Sequence, residues 1–69
     1  MTPARKRALH WFYVLGQADP CDLMDFGAPS RVMRKRMEAE GQIEAFFGRT
    51  QVCLRLTDKG RRDLHEAGG

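Results

Sequence analysis

Arg31, Arg34, Lys35 and Arg36 place four cations within six positions. Lysine and arginine at helical spacing are the side chains that meet nucleic-acid phosphates, and arginine also pairs bidentately with guanine. Other basic residues form three more groups: Arg5, Lys6 and Arg7 near the N-terminus, Arg49 beside Gly48, and Lys59, Arg61 and Arg62 near the C-terminus. Asp19, Asp22 and Asp25 lie apart from all four groups. The whole chain carries 12 basic residues against 9 acidic ones, a net charge of +3. That balance fits nucleic-acid binding without demanding it, so placement carries the argument.

Other chemistry finds little footing. His10, Cys21, Cys53 and His65 are far apart, and no pair has the close spacing of a structural zinc motif, so no metal or cofactor is expected. No nucleophile, base and orienting group are clustered, and no phosphate-cradling loop exists. A chain of 69 residues is also too short to enclose a conventional catalytic pocket, so an enzyme is not expected. Two cysteines make no disulfide framework and read as reduced thiols of a cytoplasmic protein. The apolar stretch 8–15 ends at Gly16, Gln17 and Asp19, too soon for a secretory signal or a membrane span.

These residues need elements to position them. One domain, 1–69, is all that the length allows. A first helix is expected over 3–15, with Thr2 as N-cap, Pro3 at the first position and Gly16 as the stop. Ala8, Phe12 and Leu15 make its core stripe, leaving Leu9, Trp11, Tyr13 and Val14 on other faces. A short second helix is expected over 19–26, with Leu23 and Phe26 inward and Gly27 as its stop. The basic helix follows from Pro29 or Ser30 to Glu40, closed by Gly41 in the left-handed conformation. Met33 and Met37 mark its core side, and Arg31, Arg34, Lys35 and Glu38 project away.

The period then changes. Residues 43–46 and 52–56 read as strands, with Val52, Leu54 and Leu56 inward, and 47–50 as the turn between them. A last helix opens at Thr57 or Asp58, with Gly60 in its first turn, where a glycine costs least. Residues 67–69 read as a frayed end.

In this order, the segments MRKRMEAEG (33–41) and VCLRLTDKGRRDL (52–64) resemble the winged helix-turn-helix family, in the broad style of MarR-type and related bacterial or phage regulators. Met37-Glu38-Ala39-Glu40-Gly41 is similar to the family's Leu-Glu-x-x-Gly helix ending. Leu56-Thr57-Asp58-Lys59-Gly60-Arg61 is similar to its Leu-Thr-x-x-Gly-Arg lead into a final helix. The resemblance covers residues 19–66, and the interval from Gly27 to Met37 is about one helical turn shorter than in the family.

The resemblance implies a mainly α fold with a small β-hairpin: three helices, a two-stranded wing and a C-terminal helix. It implies a transcriptional regulator of double-stranded DNA. The basic helix would read the major groove through Arg31, Arg34, Lys35 and Arg36. The wing would hold the backbone through Arg49, and Arg5, Lys6 and Arg7 would reach further phosphates. The crowded apolar faces of the first helix point to a homodimer, with Trp11, Tyr13 and Leu64 at the contact. The alternative expectation is a winged-helix protein-interaction module, such as a phage- or mobile-element-encoded factor that inhibits a host protein.

Overall fold

The computed structural model describes residues 1–68. The described chain runs through α1 (Pro3–Leu15), a 3-10 turn (Asp22–Met24), α2 (Arg31–Ala39), β1 (Ile43–Phe47), β2 (Val52–Leu56) and α3 (Asp58–Glu66). Of the expected frayed end, Ala67 and Gly68 complete the last turn through bonds to the Asp63 and His65 carbonyls, and Gly69 lies outside the described residues.

Short polar side chains start each helix. The Thr2 hydroxyl oxygen accepts from the Arg5 N–H at 3.2 Å, that of Ser30 from Met33 at 3.1 Å, and that of Thr57 from Gly60 at 3.0 Å. Each bond satisfies an amide that the first helical turn leaves without an internal partner. Gly16 and Gly41, which close α1 and α2, have φ of +84° and +75°. Only glycine adopts that region without strain.

The expected helix over 19–26 is not formed. Asp19 and Asp22 cap each other instead: the Asp22 N–H donates to Asp19 Oδ1 at 2.8 Å and the Asp19 N–H to Asp22 Oδ2 at 3.1 Å. These are the reciprocal bonds of a capping box, which starts a helical turn but does not extend it. Asp25 is then extended, and only the 3-10 turn remains. Leu23 packs against the core as expected, but Phe26, expected inward, is fully exposed and Met24 nearly so.

The core joins Ala8, Leu9 and Phe12 of α1 to Ala18, Met37, Ile43, Leu56 and Leu64. Trp11, Leu23, Met33 and Leu54 pack around it. Leu9 takes the place expected for Leu15. Ala8, Leu9 and Phe12 share one arc of the helix, whereas Leu15 lies in the last turn, where the chain departs at Gly16 and leaves it exposed. Leu64 is only 4% exposed, so its expected place in a dimer contact is corrected: it is spent on the monomer core.

The strands pair antiparallel, with Ile43 opposite Leu56, Ala45 opposite Leu54 and Phe47 opposite Val52 on the core side. The hairpin outruns the core, so Phe47 and Val52 are exposed despite their inward phase. Cys53 points to the other face and is buried beneath Gly48, where a Cβ would stand 3.1 Å from its Sγ. On its free edge, β2 meets a single residue of the preceding loop. The Ala18 N–H donates to the Leu54 carbonyl at 2.8 Å, and the Leu54 N–H returns a bond at 2.9 Å.

Gly60 is required rather than tolerated. A Cβ at this position would overlap the Gln42 carbonyl oxygen, which also accepts the Thr57 N–H at 3.0 Å. The Thr57 hydroxyl donates in turn to the Gly41 carbonyl. The entry to α3 is thereby locked against the end of α2.

Candidate nucleic-acid interface

The two methionines fix the orientation of α2. Met37 is fully buried and Met33 packs beside it. The helical period then turns Arg31, Val32 and Lys35 to the opposite side, with Arg36 and Arg34 on its two flanks. Arg31, Lys35 and Arg36 are exposed. Arg31, Arg34, Lys35 and Glu38 form one wall of a shallow groove whose other wall is Ile43 and Leu54 of the hairpin. Arg34 is steadied by a bond from its guanidinium to the Pro29 carbonyl at 3.0 Å.

The hairpin carries Arg49 in its connection, exposed, in a turn closed by the Gly48 N–H on the Gln51 carbonyl at 2.7 Å. Further down, Arg55 lies over the Phe46 ring at 4.3 Å and pairs with Glu44 across the strands at 3.0 Å.

The ion pairs separate two populations of cations. Arg5, Arg55, Lys59 and Arg61 are paired with Glu40, Glu44, Asp63 and Asp58. Among the described residues, Lys6, Arg7, Arg31, Arg34, Lys35, Arg36, Arg49 and Arg62 enter no such pair. A cation with no internal carboxylate keeps its full charge available to an external anion.

The N-terminal trio does not act as a group. The Arg5 side chain is 16% exposed. Its guanidinium binds Glu40 and the Gln42 side-chain oxygen, the latter at 3.0 Å, and its Nε lies 3.3 Å from Met33 Sδ. The expected DNA contact of Arg5 is therefore corrected: it ties α1 to the end of α2. Sequence shows the charge of Arg5 but not Glu40, which lies 35 positions away. Arg7 lies beside the start of α2, in a recess with Ala28, Pro29, Ser30 and Met33. Lys6 is half-buried on a different side of α1.

Behind α2 the same polar network continues. Gln42, the one buried polar side chain among the described residues, donates to Asp63 at 3.0 Å, and Lys59 donates to the same carboxylate oxygen at 2.8 Å. The Lys59 and Gln42 bonds hold the Asp63 carboxyl below its ordinary range.

Of the expected dimer residues, Tyr13 is exposed, with its ring edge-on to His10. Trp11 is half-buried, edge-to-face on Phe12 at 5.0 Å. The residues that sequence reasoning passed over are Val32 and Phe47, two exposed apolar side chains next to the cations. Val32 sits within the basic run, and Phe47 falls at the end of a strand, so charge alone drew attention away from both.

Among the described residues, no three histidine, cysteine or acidic side chains gather to hold a metal, and no helix is long and apolar enough to cross a membrane. No family model matches the chain, and neither curated proteins nor solved structures give a significant match.

Proposed function

We propose that this chain is a winged helix-turn-helix domain that binds double-stranded DNA as a cytoplasmic transcription regulator. The observation that carries the reading is the outward side of α2. Arg31, Lys35 and Arg36 are exposed and outside every internal ion pair, and the adjoining hairpin brings Arg49 at its end. The helix is about 13 Å long, comparable with the roughly 12 Å width of the major groove. Arg31 and Lys35 would meet base edges and phosphates, Val32 a thymine methyl group, and Glu38 a cytosine amino group. Arg49 would lie on the neighbouring backbone and contribute affinity rather than sequence preference.

The 3-10 turn in place of the expected second helix leaves the approach to α2 short, as the interval from Gly27 to Met37 implies. The fully exposed Phe26 and the exposed Met24 favour a second reading, a protein-binding module of the same layout.

Binding to random duplex DNA across a range of salt concentrations decides between them. Phosphate contacts give an affinity that falls linearly with salt on logarithmic axes, by about 0.9 per phosphate neutralised. Four exposed cations predict a slope of roughly −3 to −4. Absence of binding at low salt would overturn the DNA reading in favour of the protein-binding one.

A further inference from the structure

One apolar groove of the molecule contains no residue of α2. Arg7, His10, Trp11, Val14, Leu15 and Gly27 line a groove of about 530 Å³ between α1 and the loop before α2. Phe26 directly precedes Gly27 of that lining. The Ala28 N–H bonds the Asp25 carbonyl at 3.0 Å, which closes a four-residue turn and leaves Phe26 at a corner with its ring wholly in solvent. Nothing inside the chain explains a phenylalanine in that position.

We infer that two copies of this chain pair about a two-fold axis, each inserting Phe26 into the groove of the other. A two-fold contact requires one patch to hold both halves of the fit, because what residue i does to j, j does to i. This patch does: the projecting ring and the groove adjoin at Gly27.

Charge follows the same logic. Arg7 lines the groove, Asp25 precedes the ring, and neither enters an internal ion pair among the described residues. Insertion brings the Asp25 of each copy to the Arg7 of the other.

Phe26 is an aromatic side chain, a class that buries about 150–250 Å² when covered. Val14 and Leu15 of the groove are exposed and are covered with it. The surface differs from the one expected from sequence. Leu64 and α3 have no part in it, and Trp11 forms the floor of the groove. The inference is independent of the DNA-binding reading, since none of the four cations proposed to meet DNA belongs to this patch.

Sedimentation equilibrium of the full chain at micromolar concentrations, without DNA, is the test. The expected species has twice the 7.9 kDa chain mass. Phe26→Glu should raise the dimer dissociation constant by at least about tenfold. Its far-UV circular dichroism should stay unchanged, because the wild-type ring touches nothing in the monomer. Arg7→Glu and Asp25→Arg should each weaken the dimer, and the two together should restore it, since the pair reforms with its signs exchanged. A wild-type monomer at all concentrations would overturn the inference. So would a dimer indifferent to Phe26→Glu, or a double charge reversal no tighter than either single change.

Discussion

Arg5 and Arg31 are the same residue type with opposite fates, and the difference lies in what stands within reach of each. Arg5 is enclosed by Glu40, Gln42 and Met33 and fastens two elements together. Arg31 has solvent around it. Sequence displays both charges equally. The helical period was enough to turn Arg31 and Lys35 outward, because Met33 and Met37 fix the inward side of the same helix. No local pattern reports a partner that arrives from another element, so the inward fate of Arg5 was illegible. The prediction at this scale is that Arg31→Ala and Lys35→Ala each weaken duplex binding by about 1–3 kcal/mol where a base is read. Thermal melting should leave the fold unaltered, as both side chains are exposed and unpaired. An unchanged affinity and site preference in the double variant would remove α2 from the role of reading element.

Elements were legible where a cap, a stop and a period agreed. Thr2 caps the helix it was expected to open, Ser30 and Thr57 do so where Pro29 and Asp58 were the alternatives, and Gly16 and Gly41 end their helices at positive φ. The segment 19–26 had a cap and a stop but too few residues between them. Two turns cannot recover the cost of helix nucleation without strong packing, and here only Leu23 packs. The reciprocal bonds of Asp19 and Asp22 therefore start a single turn, which ends where Asp25 becomes extended.

The seating of α3 was illegible for a similar reason. It depends on Arg5, on Gln42 and on the Lys59–Asp63 pair of α3, which come from three separate places in the chain. That seating has a pH signature. Bonds from Lys59 and Gln42 lower the Asp63 pKa in the folded protein, so its carboxylate stabilises the fold above the unfolded value of about 3.9. The contribution is lost as the pH falls through the lowered native value. Asp63→Asn should reduce the melting temperature at neutral pH and flatten its decline in acid. Equal acid limbs for the two proteins would show that Asp63 does not hold α3 in this way.

At the scale of the molecule, one small core holds every element. Leu9, Phe12 and Met37 are its largest fully buried side chains, and α1 reaches both α3 and β2. A chain this short keeps little stability in reserve, on the order of 3–10 kcal/mol at the usual value per residue. The mixed α and β character and the order of the helices around the hairpin followed from period and punctuation. The third position in the sheet did not, because Ala18 has no neighbours in a strand pattern and was joined to β2 only by the fold.

The Ala18–Leu54 bridge gives the molecule a place to open in part. Two hydrogen bonds, outside any longer ladder, fasten the loop that carries Phe26 to the edge of the hairpin. If they part and Ala18 and Leu23 leave the core, residues 17–29 can swing free while the three capped helices and the hairpin remain intact. The Ala18 and Leu54 amides would then trade their protons with solvent together, through a shared opening that costs less than global unfolding. Amide hydrogen exchange followed by NMR should show matched protection at these two positions, below that of the amides in the middle of α1. Protection equal to that of α1 would mean that the latch yields only when the whole domain does.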